Sequence, residues 1–234
     1  GSDRFEREKH SISSHGGRIS ELRDIHLLIV ILQHVASQAH GVRRVDIDDG
    51  LRQLREREKE LIDTAMHEDN IFRSIESGML SAENRVDEWP VFPDSIGPLM
   101  PGLEEVYADG RACYRQAREN PGDSDLHAWG QQVHQLMHLF EILAIFWAEE
   151  LGISGPSLHQ LSGYLGEEHD LALFMNSLKE GLWTNKLKNP EALISYADQK
   201  RSFLRRSAMN LGGFVYKRPV DAFVAVFREK ARAE

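Results

Sequence analysis

Eleven histidines give this 234-residue chain its widest range of possible chemistry. Five of them fall in two segments. His127, His134 and His138 stand at i, i+7 and i+11, a spacing that puts them on one stripe of a helix together with Gln131. His26 and His34 form a looser copy of that stripe. Imidazoles placed this way can do three things. They can be hydrogen-bonded groups that orient helices. They can bind anions once protonated, near a pH of about 6.5. His134 and His138, one helical turn apart, can also chelate zinc, copper or nickel. The spacing leaves all three open, and no metal or cofactor is assigned from it.

Cations are the second resource. Arg111, Arg115 and Arg118 at i, i+4 and i+7 share one helix face. Lys200, Arg201, Arg205 and Arg206 make a second basic face, and Lys217 and Arg218 follow shortly after. Arg52, Arg55, Arg57 and Lys59 alternate with Glu56, Glu58 and Glu60, which reads as a solvated face with internal ion pairs. Motifs for catalysis are absent. There is no His-Glu-x-x-His or Glu-x-x-His, no phosphate-binding glycine loop and no nucleophile elbow. His169-Asp170 follows Glu167-Glu168 and reads as structural, Cys113 as a packed thiol, and Trp129, Phe146 and Trp147 as core. The expected protein is not an enzyme.

These groups must be carried by helices. Apolar residues at Leu22, Ile25, Leu28, Ile29, Leu32 and Val35 predict a helix from Ser20 to a stop at Gly41. A second, highly charged helix is predicted from about Asp48 to Ser77. Further helices are expected over Leu103–Glu119, from Ser124 or Asp125 to Leu151, from Ser154-Gly155-Pro156 to Gly181, from Asn189-Pro190 to about Met209, and after Arg218-Pro219. The prolines at 90, 93, 98 and 101 mark a loop over 90–101 between a first half, 20–89, and a second, 102–234. Residues 1–19 read as a tail whose Gly1-Ser2 is a tag remnant. The expected fold is all-α, with two helical bundles.

Composition narrows the class. Hydrophobic residues at 41% and charged residues at 28% fit a globular chain rather than a disordered one. Apolar stretches such as Leu27 to Leu32 and Leu143 to Ala148 fall far short of the roughly 20 residues of a membrane span. One cysteine excludes an intrachain disulfide and points to a reducing, cytoplasmic compartment. The formal charge of −9 argues against a specific nucleic-acid binder, yet protonating all 11 histidines would bring it to +2.

The halves echo each other. Asp24-Ile25-His26 recurs as Asp125-Leu126-His127 at an offset of 101 residues, and Asp69 and Asp170 share that offset. An apolar-rich turn follows each aspartate, so an internal duplication into pseudo-symmetric four-helix bundles is expected. At these positions the chain resembles a known family. Leu126-His127-Ala128-Trp129, followed by Leu165-Gly166-Glu167-Glu168-His169-Asp170-Leu171-Ala172-Leu173, is similar to the signature of the CHAD domain, the conserved histidine α-helical domain. Ile25-His26 resembles its first histidine helix. Gly110-Arg111 with Arg115 and Arg118, and Leu204-Arg205, Leu211-Gly212 and Lys217-Arg218-Pro219, resemble other basic elements of the family. The resemblance implies a non-enzymatic module of two four-helix bundles that binds inorganic polyphosphate in a basic channel. It implies polyanion contacts at His26, His127, His134, Arg111, Arg115, Arg118, Arg205, Lys217 and Arg218.

The chain departs from that family where its basic residues are usually densest. Ile29, Val30, Gln33 and His34 replace them on the first motif helix, and Gly130, Gln131, Gln132 and His134 on the second. The alternative expectation is therefore a divergent member without polyphosphate binding. It would offer the apolar helix Ile25 to Val35 to a protein partner or a second copy.

Overall fold

The computed structural model describes residues 19–38, 44–68, 70–87, 97–151, 154–181 and 190–231, with Trp183 and a few positions near the start. Within them lie eight long α-helices and no strand. The all-α expectation stands, and no helix among the described residues is long and apolar enough to cross a membrane. Asp69 and the side chains of Phe146 and Trp147, which the sequence singles out, lie outside the described residues.

The chain divides into two compact units. The first holds residues 1–91 and 174–196. Its helices are α1 (Ser20–Gln38), α2 (Arg44–Asp63) and α3 (Ile71–Val86). The run expected as one helix from Asp48 to Ser77 is two. Thr64–Glu68 widen into a π turn, and Asn70 takes a left-handed φ of 48° before α3 begins. Asparagine is among the few non-glycine residues that tolerate this conformation. Gly78, expected as a stop, lies inside α3.

α1 packs along α2 through Leu28, Ile29, Ile31, Leu32 and Val35, all buried. Of the apolar residues from Ile25 to Val35, Val30 alone is exposed. Residues 174–196 join this unit although the sequence places them in the second half. The reason is packing. Trp183 is fully buried, its ring lies against Gly50 so closely that a Cβ there would sit 2.9 Å away, and its indole Nε1 donates to Ser177 Oγ at 3.2 Å.

The second unit holds residues 92–173 and 197–234. It contains α4 (Met100–Glu119) and α5 (Asp123–Leu151), the first two thirds of α6 (Ser154–Glu180), most of α7 (Pro190–Val215), and α8 (Val220–Ala231). α4 pairs with α5 and α8. On α4 the buried stripe is Leu103, Tyr107, Gly110, Tyr114 and Ala117, the three-and-four spacing of an amphipathic helix. It meets Leu126, Trp129, Val133, Leu136 and Phe140 of α5. Tyr107 stacks on Phe223 of α8 with ring centres 3.7 Å apart. α7 runs through Gly212-Gly213 to Val215, beyond the stop expected at Met209.

Candidate functional site

Stepping one residue along the buried stripe of α4 turns the helix by about 100°. Arg111, Arg115 and Arg118 each follow a buried residue, so they line the rim of the core rather than its opposite side. Lys217 joins them from the turn between α7 and α8. Three hydrogen bonds to carbonyls pin that turn to α4. The Tyr107 hydroxyl donates to Arg218 O at 3.1 Å and lies 3.3 Å from Val215 O, while Arg111 Nε donates to Tyr216 O at 3.2 Å. Nearby, the Tyr114 hydroxyl reaches Met209 O at 3.3 Å.

Close approach of α7 requires glycine. A Cβ on Gly212 would meet the Trp129 ring at 2.5 Å and Tyr114 at 2.9 Å. Tyr216 enters the gap beside Gly110, where a Cβ would collide with its hydroxyl. Burial pushes the Tyr216 phenol far above its ordinary range, so it stays neutral.

The result is a cavity of about 330 Å³ lined by Arg111, Tyr114, Arg115, Arg118, Gly213, Tyr216 and Lys217. It lies at the small end of ligand cavities, about 300–1,000 Å³. A second hollow beside it is lined by Arg115, Arg118 and Glu119. Arg118 stacks over the Tyr114 ring at 5.8 Å, a cation–π contact that holds the guanidinium at the rim. Among the described residues, none of these four cations pairs with a carboxylate, and Arg115, Arg118 and Lys217 are exposed. Four positive charges thus converge on one concavity, with Glu119 in the adjoining hollow.

The other basic residues are differently employed. Arg205 Nε donates to Glu168 Oε1 at 2.8 Å and its Nη2 to Asp123 Oδ1 at 2.7 Å. Arg201 makes the same two partners, at 3.0 and 2.7 Å to Glu168 and 2.6 Å to Asp123. Glu168 and Arg201 are buried, and this cluster ties α7 to α6 and to the start of α5. Partial burial works to raise the Asp123 carboxyl. The hydrogen bond and charge of Arg201, with those of Arg205, outweigh it and hold the group below its ordinary range. Arg205, expected at a polyanion site, is paired with Glu168 and Asp123 and does not line the cavity. Arg218 is exposed at the same turn as Lys217 but does not line the cavity.

The Arg52 segment behaves as the sequence suggests. Arg52 bridges Asp49 and Glu56, and Arg57 bridges Glu60 and Glu21. The larger cavity there, about 470 Å³ beside Asp48, Leu51, Arg52, Arg55 and Glu56, is of mixed charge.

The histidines do not line the basic cavity. His26, in the first unit, is exposed and lies 2.7 Å from Glu58 Oε1 through Nδ1. His127 is exposed, stacks on His169 with ring centres 4.1 Å apart, and contacts Gln131 at 3.0 Å. His134 faces His138, the two Nε2 atoms 2.9 Å apart. Sequence reasoning gave the arginine face but missed Tyr107, Tyr114 and Tyr216, which fix its geometry. Their only sequence signal is their place on the apolar stripe or beside a glycine pair.

No family model matches the chain, and no characterised protein or solved structure is similar enough to count as a match.

Proposed function

We propose that this chain is a non-enzymatic binding module of divergent CHAD type whose ligand is inorganic polyphosphate or a related polyanion. The observation that carries the reading is the convergence of Arg111, Arg115, Arg118 and Lys217 on one cavity with no carboxylate partner among the described residues. Guanidinium forks and an ammonium group meet phosphate oxygens through charge-assisted hydrogen bonds, and each neutralised phosphate releases a counterion. The duplication belongs to the same reading. It is supported by the places of Asp24–His26 and Asp125–His127, each within the first two turns of a long helix, α1 and α5.

Arginine and lysine keep their charge from pH 6 to pH 8, whereas histidine does not. Binding of long-chain polyphosphate should therefore be equal at both pH values and should weaken with salt. The variant Arg115→Ala with Arg118→Ala removes two exposed cations and should lower affinity at least tenfold without changing helix content. Arg205→Ala should leave affinity unchanged. Failure to bind under any of these conditions, or unaltered binding by the double variant, refutes the proposal. Binding at pH 6 alone would move the site to the histidines.

A further inference from the structure

On α5 the stripe of exposed residues beside the core contains His127, Gln131, His134, His138 and Glu141. Its central pair has a definite hydrogen-bond order. Glu141 Oε2 lies 2.8 Å from His138 Nδ1. A carboxylate accepts, so Nδ1 of His138 carries the proton and Nε2 presents its lone pair. That lone pair points at Nε2 of His134, 2.9 Å away. Glu141 is itself steadied from the neighbouring helix, where His159 Nε2 of α6 lies 3.5 Å from its other oxygen. An ionised carboxylate behind a histidine whose free nitrogen faces a second imidazole is the outer-sphere arrangement that proteins use for metal-bound histidine.

We propose that His134 and His138 form a two-imidazole site for a divalent transition-metal ion that favours right-angled coordination, Cu(II) first and Ni(II) next. The i, i+4 pair can take up such a cis arrangement once the two exposed rings turn their lone pairs off the nitrogen–nitrogen line. Two nitrogens at a metal–ligand distance of about 2.0–2.1 Å and 2.9 Å apart subtend about 90° at the ion. That is the cis angle of a square-planar or tetragonal site, the geometry of Cu(II) and Ni(II). Copper also heads the general order of divalent affinity for nitrogen donors.

Binding requires His134 to shift its proton from Nε2 to Nδ1, so the ion replaces the hydrogen bond between the rings with no net proton release. Among the described residues no three histidine, cysteine or carboxylate side chains converge on one point. The site therefore has two protein ligands, and water fills the remaining positions. Both rings are exposed, which leaves those positions open. This site shares no residue with the cavity of Arg111, Arg115, Arg118 and Lys217, so either can fail without the other.

The test adds Cu(II), Ni(II) and Zn(II) separately to the metal-stripped full chain, read by calorimetry and, for copper, by electron paramagnetic resonance. The expected result is a strongest site of one ion per chain, with copper signals showing two nitrogen donors. Affinity should fall at least tenfold in His134→Ala and in His138→Ala. Glu141→Ala, which removes only the outer carboxylate, should cost about tenfold. All three positions are exposed, so circular dichroism and the unfolding midpoint should match the parent protein. His26→Ala, on the other unit, should leave the strongest site intact. Wild-type copper affinity in the double variant His134→Ala/His138→Ala overturns the proposal. So does a loss of the strongest site in His26→Ala, or zinc binding tighter than both copper and nickel.

Discussion

Glu168→Gln tests the division of labour among the basic residues. The substitution keeps size and shape but removes the charge that accepts three donors, Arg201 Nε, Arg201 Nη2 and Arg205 Nε, all on Oε1. Glu168 is only 2% exposed and the Arg201 side chain 9%, so solvent cannot replace the lost partner. Breaking a buried ion pair by neutralising one member costs about 3–5 kcal/mol. Asp123 remains bonded to Arg201 at 2.6 Å, which places the expected loss at the lower end, about 3 kcal/mol. For a chain of this length each kcal/mol moves the thermal midpoint by about 2–4 °C, so a fall of about 6–12 °C is expected. Thermal unfolding followed by circular dichroism and tryptophan fluorescence measures it. Replacing both Glu168 and Arg201 by leucine and methionine should cost less than Glu168→Gln alone, because the charges left, Arg205 and Asp123, are partly exposed and still paired with each other. A midpoint within about 1 °C of wild type for Glu168→Gln, or additive losses in the double variant, refutes the assignment of this cluster to the fold.

Two further outcomes follow from the geometry. Gly212→Ala drives a methyl group into the rigid rings of Trp129 and Tyr114 and should cost about 1–3 kcal/mol by urea denaturation, whereas Gly163→Ala, in α6 with open space at its Cβ, should stabilise the chain by about 0.5–1 kcal/mol. Asp123 is held below its ordinary range, so its contribution is complete above the unfolded value of about 3.9 and disappears as the pH falls through the lower folded value. The thermal midpoint should drop on acidification below about pH 4, and less steeply in Asp123→Asn.

Helix type was legible because apolar residues at three-and-four spacing carry a helical period whatever their partners. Asn189-Pro190 and Ser154-Gly155-Pro156 marked true starts, and Gly181 a true end with a positive φ of 73°. The break after Asp63 was not legible. A π turn leaves no mark in side-chain type, and Asn70 becomes informative only once its left-handed φ is seen. The arginine face of α4 was readable from periodicity. Which cations stay free was not, since Arg111 and Arg205 look alike in sequence. Their difference comes from carboxylates far away in the chain, Asp123 and Glu168, that reach Arg205 and not Arg111. The link of residues 174–196 with the first unit depends on Trp183 meeting Gly50, a contact between positions more than a hundred residues apart that no local pattern encodes.

That contact sets a timetable for synthesis. When Val91 leaves the ribosome, Leu32 and Gly50 still lack the tryptophan that covers them, and Leu193, also buried in the first unit, has yet to be made. At about 5–20 residues per second, the wait is about 5–20 s. The first helices therefore spend those seconds without the cover at Gly50, a window in which a chaperone, or another nascent copy, competes with the segment still to come.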